Sequence, residues 1–380
     1  MDIRALLKYL RSHRAEMAAD LRWLVEMESP STEKAATDRL AAALAERLKS
    51  LGARTEIIDG GRFGNHVRAV IGNGPSQVLV LCHMDTVWPL GELARRPVRI
   101  EDGKLYGPGA FDMKAGIVDT LWAIRAINEF PVALEGTRVV FLYNSDEEVG
   151  SFSSRPHIEE EARRSQGVLV LEPSRPEDGG VKLWRKGVAQ FTIRAGGRSS
   201  HAGSEPDEGV SAVHELCAQA QRLIALADRS TGTTVNIGVF RGGTRVNVVA
   251  AEAEFEVDYR AATDPEMDRV VAFTQALTPI GKGATLTVKG GVNRPPMPIL
   301  PASQRLHATA ERFAAELGFA IPAGGTGAGS DGNLTAHLGV PTLDGIGARG
   351  SGSHALHEHV VIDSLPERTA LVVGLLTSIK

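Results

Sequence analysis

The feature that most constrains the fold of this chain is a pair of apolar runs, each followed at once by polar side chains. Val78 to Cys82 is continuously apolar, Arg138 to Tyr143 is nearly so, and Met113 to Asn128 between them has the spacing of a helix. Strand, helix and strand in this order predict a mostly parallel sheet covered by helices on both faces. Open α/β sheets of this kind place ligand sites beyond the carboxyl ends of their strands.

The chain begins with helical periodicity from about Ile3 to Glu26, and a second helix is predicted from Lys34 to Lys49. After Pro173 the composition becomes that of a loop. Segments with the periodicities of strand, helix, strand, strand, helix and strand then follow, which is the order of a ferredoxin-like domain. We therefore predict an α/β domain over 1–182 and 296–380, interrupted by an inserted α+β domain over 183–295.

Composition argues against several classes of partner. The 380 residues carry a formal net charge of −4, so there is no global basic field that would select nucleic acid or an anionic membrane. The two cysteines, Cys82 and Cys217, fall in a predicted core strand and a predicted core helix, which argues against a disulfide framework. No apolar run is long enough to span a membrane, and the N-terminal residues do not resemble a signal peptide. We predict a cytoplasmic protein with a small-molecule partner.

The first candidate site residues are His83 and Asp85, which come directly after the first apolar strand. Imidazole and carboxylate two residues apart can share one metal site, although a hydrogen-bonded surface pair gives the same pattern. Asp112 follows the glycine-rich segment Gly107–Gly109 and begins a helix, where it could be a ligand or simply the N-cap. This segment lacks the spacing of a phosphate-binding loop.

Three adjacent acids, Asp146, Glu147 and Glu148, follow the second apolar strand. Clustered carboxylates repel one another unless cations neutralise them, so the run is either a solvated helix start or a metal and acid–base site. Its position after a buried strand favours the second interpretation. Glu172 follows another apolar run, and His354 comes after several loop glycines near the closing helix. Nitrogen and oxygen ligands that can converge on one rim of a sheet are typical of hydrolytic zinc sites.

Together these residues resemble the di-zinc aminoacylase and carboxypeptidase family, whose members include glutamate carboxypeptidases, acetylornithine and succinyl-diaminopimelate deacylases, and tripeptidases. The resemblance runs essentially from end to end. It implies a zinc-peptidase catalytic domain and an inserted domain that mediates homodimerisation. The motifs that carry it are His83-x-Asp85-Thr86-Val87, Gly107-x-Gly109-x-x-Asp112-x-Lys114-x-Gly116, Asp146-Glu147-Glu148-x-Gly150 and Ser200-His201-Ala202-Gly203.

The resemblance implies two zinc ions per subunit, bridged by Asp112. His83 and one distal acid would complete one site, and His354 and another acid would complete the other. The two acids would be Glu148 and Glu172. The resemblance also implies a cis peptide bond after Asp112.

It further implies that Glu147 is the general base, which takes a proton from a zinc-activated water and later protonates the leaving amine. Asp85 would fix the tautomer and orientation of His83. His201 would reach the active site of a partner subunit and stabilise the developing oxyanion.

The substrate carboxylate would be held by Arg260 and Asn247, which match family positions with that role, and Gly329 and Ser330 would line the same pocket. Arginine suits this task because its planar fork binds a carboxylate at two points. For Arg294, a weaker candidate, a solvated surface arginine is the favoured interpretation.

Other histidines offer competing assignments near the end of the chain. His357 and His359 lie close to His354, but the family spacing to Glu358 favours His354. The remaining histidines have no convergent partners in the sequence and are interpreted as structural or solvated.

This pattern favours a zinc carboxypeptidase that cleaves an amide bond next to a free carboxylate and releases C-terminal glutamate, because Ser151–Ser154 and Glu172-Pro173 resemble that branch. An N-acyl amino acid deacylase of the acetylornithine or succinyl-diaminopimelate type would use the same metals and differ only in its pocket. A non-catalytic binding protein on the same fold is a third alternative, and the presence of Glu147 with all the proposed ligands argues against it. The expected substrate is a small peptide or N-acyl amino acid.

Overall fold

The computed structural model describes residues 2–130, 134 and 136–379. The helices of this part of the chain are α1 (Ile3–Ser12), α2 (Arg14–Glu26), α3 (Lys34–Ser50), α4 (Glu92–Arg95), α5 (Ala115–Glu129), α6 (Arg155–Arg163), α7 (Ala212–Ile224), α8 (Asp264–Gln275), α9 (Pro301–Leu317), α10 (Asp331–His337) and α11 (Ser364–Leu376). The strands are β1 (Arg54–Ile58), β2 (His66–Gly72), β3 (Ser76–His83), β4 (Arg99–Glu101), β5 (Lys104–Tyr106), β6 (Thr137–Asn144), β7 (Gly167–Val170), β8 (Val181–Arg185), β9 (Gly187–Gly196), β10 (Thr234–Gly242), β11 (Glu252–Ala261), β12 (Thr285–Arg294), β13 (Ala323–Thr326), β14 (Thr342–Asp344), β15 (Gly350–Ser351) and β16 (His359–Val361).

The predicted first helix is wrong in one respect, because residues 3–26 form two helices that meet at His13. The backbone of His13 leaves the helical region (φ −103°, ψ 13°), and its N–H bonds back to the carbonyl of Leu10. Both helices keep a buried apolar face, so the periodicity continues across a break that it does not reveal.

The described chain divides into two compact units. Unit 1 runs to Trp184, continues through Ile299–Gly325 and resumes from Ser330. Unit 2 comprises Arg185–Pro298 together with the short segment Thr326–Gly329. The return of this segment to unit 2 was not predicted, since four residues in a glycine-rich loop carry no periodicity.

Unit 1 is built on a mixed sheet with the strand order β1-β2-β6-β3-β7-β14-β8-β13. Its centre is parallel, as predicted, because β3 pairs in parallel with β6 and β7, and β7 with β14. The strands β1, β2 and β8 join by antiparallel pairing. Apolar clusters lie on both faces of this sheet, which explains why its central strands are continuously apolar.

A second, small sheet of unit 1 has the order β15-β16-β5-β4 and was not predicted. In it β16 pairs antiparallel with β5, with His359 opposite Tyr106. The segment after β5 leads to Asp112, and the segment before β16 contains His354. This pairing therefore brings two loops together that are far apart in the sequence.

Unit 2 has the element order β9, α7, β10, β11, α8, β12 and an antiparallel sheet in the order β10-β11-β9-β12. This is the predicted ferredoxin-like arrangement. One face of the sheet packs against α7 and α8 around residues such as Phe255 and Leu216. Cys82 is buried in β3 as predicted, and Cys217 lies in a helix of the unit 2 core as predicted but on its exposed side.

Among the helices of the described residues, none combines the length and the apolar character needed to cross a membrane.

Candidate active site

Three neighbouring parallel strands of unit 1 end at the same edge of the sheet and deliver polar residues there. β3 ends at His83, and β7 ends just before Glu172. β6 ends at Asn144 and leads into Asp146, Glu147 and Glu148, which we call the acidic turn. Parallel strands side by side bring their carboxyl ends together, so residues far apart in sequence become neighbours. The apolar runs that predict the strands thus also determine where these side chains meet.

Asp112 lies between two histidines at this edge. Its Oδ1 is 3.1 Å from His83 Nε2, and its Oδ2 is 3.4 Å from His354 Nε2. His83 Nε2 is also 3.5 Å from Glu172 Oε1, and His354 Nε2 is 3.2 Å from Glu148 Oε1. Both histidines therefore lie close to Asp112, and each also lies close to a second acid, Glu172 for His83 and Glu148 for His354.

This donor set fits a two-metal centre. The ligand atoms of His83, Asp112 and Glu148 lie within 4.8 Å of one another, and so do those of His83, Glu147 and Glu172. Imidazole and carboxylate ligands suit zinc, and a carboxylate whose two oxygens face different imidazoles can bridge two ions.

Charges in this cluster are strongly coupled. Burial alone would lower the pKa of His83, but hydrogen bonds to Asp112 and Glu172 raise it well above its usual value. Hydrogen bonds to Asp112 and Glu148 raise the pKa of His354 to about 11, and burial raises the pKa of Glu148 to about 7. The two imidazoles hold the pKa of Asp112 well below its usual range even though burial opposes this. The imidazoles and carboxylates of this cluster thus stabilise one another's charged forms.

Asp85 supports the cluster in two ways. Its backbone carbonyl lies 3.0 Å from His83 Nδ1, closer than its carboxylate Oδ1 at 3.6 Å. Its carboxylate accepts hydrogen bonds from the hydroxyl of Ser31 and from the backbone N–H groups of Glu147 and Glu148. Asp85 therefore orients His83 mainly through its main chain, while its side chain holds the acidic turn.

The acidic turn is further held by hydrogen bonds that the sequence did not reveal. Asp146 accepts hydrogen bonds from the hydroxyls of Ser153 and Ser154 at 2.7 and 2.6 Å. Asp331 accepts from Asn144 and from the hydroxyl of Ser151, whose backbone is left-handed (φ 53°). The serines lie next to the acidic run in the sequence, whereas Asp331, which the resemblance places with Gly329 and Ser330 along the substrate pocket, was not expected to hold this turn.

His354 is the histidine that approaches the acids, whereas His359 packs against the ring of Tyr106 at 5.1 Å. The peptide bond between Asp112 and Met113 is cis, as the resemblance implies. Lys114, the residue after Met113, is buried, and its ammonium group donates to the carbonyl of Met27 at 2.8 Å. Burial lowers the pKa of Lys114 to about 7.

His201, Asn247, Arg260 and Gly329 belong to unit 2. His201 is exposed, and its Nδ1 accepts hydrogen bonds from the N–H groups of Gly203 and Ser204 at 3.1 and 3.0 Å. Its neutral form therefore carries the proton on Nε2, which can act as a donor. The backbone beside it pairs with the segment of Asn247, since the N–H of Ala202 donates to the Asn247 carbonyl at 3.0 Å.

Arg260 lies on β11 with about a third of its side chain exposed. Its Nε and Nη2 donate to the two carboxylate oxygens of Asp258 at 2.7 and 3.0 Å. Residues two apart on a strand share a face, so Asp258 can fix the direction of this fork.

Two other candidates for the substrate pocket are buried. The hydroxyl of Ser330 in unit 1 donates to Asp344 at 2.6 Å and accepts from the N–H of Gly332 as the N-cap of α10. Its backbone N–H donates to the side-chain oxygen of Asn333 at 3.0 Å, and its carbonyl accepts from the Asn333 N–H at 3.1 Å, so the polar groups of Ser330 hold the start of α10. In unit 2, Arg294 is 3% exposed, so its interpretation as a solvated surface arginine is wrong. It ends β12 opposite Val188, beside Gly329.

Residues 79–378 match the model of peptidase family M20/M25/M40. The chain belongs to this family. It is 31% identical over 316 residues to carboxypeptidase G2 of Pseudomonas sp. (strain RS-16), which covers 82% of this chain and 76% of that protein. It is 28% identical over 239 residues to acetylornithine deacetylase of Pasteurella multocida (strain Pm70), and this match covers 58% of this chain and 60% of that protein.

The fold is also similar to the solved structure of an M20 family metallo-carboxypeptidase from Sulfolobus solfataricus, with a TM-score of 0.73, 17% identity and coverage of 95% of this chain and 98% of that one. Membership of the M20/M25/M40 family confirms the resemblance found in the sequence and makes the chain a metal-binding hydrolase of the peptidase and amidohydrolase class.

Proposed function

We propose that this protein is a two-zinc carboxypeptidase that cleaves the amide bond before a C-terminal residue, with glutamate preferred. The observation that carries this proposal is Asp112, whose two oxygens face two histidines that each have a second acid. The similarity to carboxypeptidase G2 supports the carboxypeptidase activity. The preference for glutamate rests on Ser151–Ser154 and Glu172-Pro173, which resemble the glutamate carboxypeptidase branch.

In this proposal His83, Asp112 and Glu172 hold one zinc ion, and His354, Asp112 and Glu148 hold the other. Zinc bound there would lower the pKa of a water molecule and polarise the substrate carbonyl. The neutral His83 imidazole suits this role because its Nδ1–H can donate to the backbone carbonyl of Asp85, which leaves the Nε2 lone pair for the metal.

Glu147 is the proposed general base. Its carboxylate belongs to the same cluster as His83 and Glu172, and it is only partly buried, so a water and a substrate can reach it. It would accept the proton of the attacking water and donate a proton to the leaving amine nitrogen, for which one carboxylate suffices. The hydrogen bond from its own N–H to Asp85 fixes the turn on which it lies.

Two unit 2 residues complete the proposal. His201 would donate from Nε2 to the oxygen on which negative charge develops, since its Nδ1 is occupied as an acceptor. Arg260 would bind the free carboxylate of the substrate, assisted by Asn247, and Gly329 and Ser330 would line the same pocket. The resemblance further supports a homodimer formed through unit 2, in which His201 acts on the partner's site. The two cysteines, which suggest no disulfide framework, support a cytoplasmic location.

Hydrolysis assays of zinc-loaded protein test the proposal. The panel comprises N-acyl glutamates, a folate-like glutamate conjugate, acetylornithine and succinyl-diaminopimelate. We expect glutamate release that falls by a factor of about 10² to 10⁴ in Glu147→Gln, while its zinc content stays unchanged. Glu160→Gln is the matched control, because Glu160 is an exposed glutamate on α6 that pairs with Arg164.

Turnover of only the acetylornithine or succinyl-diaminopimelate substrates would assign the protein as a deacylase, the activity named for one of its relatives. Protein that neither retains zinc nor hydrolyses any member of the panel would contradict the enzyme proposal and support the non-catalytic alternative.

A further inference from the structure

One buried carboxylate outside the proposed ligand set binds the loop that carries Asp112. Glu358 is 1% exposed. Its Oε2 accepts hydrogen bonds from the indole N–H of Trp88 and the backbone N–H of Gly109, both at 2.9 Å. Its Oε1 accepts from the backbone N–H groups of Phe111 at 2.9 Å and Asp112 at 3.1 Å. The carboxylate is thus occupied by four donors, which is the capacity of its two oxygens.

Three of these donors, the N–H groups of Gly109, Phe111 and Asp112, lie in a loop that cannot satisfy them by itself. Gly109 is left-handed (φ 73°) and Asp112 has non-helical angles (φ −115°, ψ 93°), so the chain between β5 and α5 is irregular. Buried backbone N–H groups need acceptors. The Glu358 carboxylate is the acceptor for three such N–H groups of this loop. The direction in which Asp112 leaves the loop therefore depends on where the Glu358 carboxylate is held.

Glu358 also belongs to the segment that carries His354. Its own N–H donates to the carbonyl of Ala355 at 3.0 Å, which closes the turn after His354. Arg96 donates to the carbonyl of Leu356 at 3.1 Å and stacks on the ring of Trp88 at 3.9 Å, so the same segment is tied from a second direction.

We propose that Glu358 is a positioning residue that sets Asp112 and His354 at the separation needed to bind metal together. The inference rests on the proposed two-metal function and adds a residue that contacts neither metal nor substrate. Replacement of Glu358 by glutamine keeps the volume of the side chain but turns one acceptor oxygen into an NH₂ group that opposes two of the four donors. The loop must then shift on one side, and Asp112 shifts with it.

The test compares Glu358→Gln with a matched control in unit 2. Glu215 is likewise buried and accepts hydrogen bonds from the backbone N–H groups of Ile280 and Gly281, so Glu215→Gln removes the same kind of interaction from another site. Trp88→Phe provides a graded variant, because it removes one of the four donors and leaves the carboxylate in place. Each protein is examined for zinc affinity by chelator competition and for the visible absorption spectrum of its cobalt-substituted form.

We expect zinc affinity about 10- to 100-fold lower in Glu358→Gln, as is common when a residue supporting a ligand is replaced, with an altered cobalt spectrum. Trp88→Phe should show the same change to a smaller degree, and Glu215→Gln should match the wild type in both measurements. Wild-type affinity and spectrum in Glu358→Gln would overturn this inference alone.

A wild-type protein that binds no metal would overturn the proposed function and this inference with it. If Glu358→Gln does not fold, the spectrum and affinity of Trp88→Phe decide, and wild-type values there would overturn the inference.

Discussion

At the scale of single residues, two histidines illustrate how the main chain selects a chemical role. In His83 the Nδ1 faces a carbonyl, so the neutral ring presents a lone pair at Nε2. In His201 the Nδ1 accepts from two backbone N–H groups, so the neutral ring presents a proton at Nε2. The same side chain is therefore prepared as a ligand in one place and as a hydrogen-bond donor in the other.

The donor role of His201 leads to a prediction for kinetics. His201→Ala should lower kcat by about 100-fold with little change in KM, since a donor to the developing oxyanion acts mainly in the transition state. Steady-state kinetics on the best substrate of the panel measure this. His214→Ala is the control, because His214 is an exposed histidine of α7 in the same unit. A raised KM with unchanged kcat would instead indicate a role in substrate binding.

At the scale of elements, buried carboxylates hold irregular segments of both units by accepting backbone N–H groups. Asp85 does so for the acidic turn and Glu358 for the loop before α5. Glu215 on α7 does so for the segment between α8 and β12. In helices and strands, backbone N–H groups donate to backbone carbonyls. In these loops, buried side-chain carboxylates take the place of those carbonyls.

Glu215 predicts a pH dependence for the stability of unit 2. Burial alone would raise its pKa, but hydrogen bonds from Gly281, Ile280 and Gln219 hold the pKa below the usual value of 4.5. Because the folded pKa is the lower one, the stabilisation is complete above pH 4.5 and is lost as the pH falls through the folded value. Glu215→Gln should lower the free energy of unfolding by about 1–3 kcal/mol at pH 7 and by less near pH 3. Urea unfolding at both pH values checks this, and an equal loss at both would contradict it.

The elements differ in how well the sequence predicts them. Strands such as β3 and β6 were predictable because burial on both faces requires continuous apolar residues, and the polar residues after them indicated the edge of the sheet. The small sheet was not predictable, because strands of two or three residues show no alternation in the sequence. The role of Glu358 was not predictable either, because Glu358 and Gly109 are 249 residues apart. The break at His13 was hidden because both helices continue the same apolar spacing.

At the scale of the whole molecule, the proposed metal centre lies in unit 1, and the proposed oxyanion donor and carboxylate-binding residues lie largely in unit 2. The resemblance implies that the unit 2 histidine acts on the site of a partner subunit. A homodimer of this kind shares each active site between two chains, so its activity can be dissected by mixing chains.

Mixing inactive variants tests this arrangement. A dimer of one Glu147→Gln chain and one His201→Ala chain retains one site with both groups intact. Random reassortment of equal amounts should therefore restore about one quarter of the wild-type activity. Activity is measured after the two proteins are dissociated and reassembled together, with each variant treated alone as the control. No recovery in a mixture shown to contain mixed dimers would mean that His201 acts within its own chain.

Metal should also stabilise the protein against heat. Zinc at about 100 times its dissociation constant should add about 2.7 kcal/mol to the free energy of unfolding for each bound ion, provided that it binds only the folded chain. Thermal unfolding of chelator-treated protein with and without zinc measures this as a rise in Tm. Magnesium serves as the comparison, because it prefers oxygen ligands and retains its own waters. Equal effects of the two ions would argue against the mixed imidazole and carboxylate site.

The segment Thr326–Gly329 affects how this chain could be recombined with its relatives. Buried Arg185 donates to the carbonyls of Ala328 and Gly329, and the N–H of Lys186 donates to that of Thr326, so unit 2 takes part of its hydrogen bonding from beyond its own continuous stretch. A chimera that exchanges residues 185–298 alone would join one protein's arginine to another protein's loop. An exchange of unit 2 between family members preserves these hydrogen bonds only if both pieces are exchanged together.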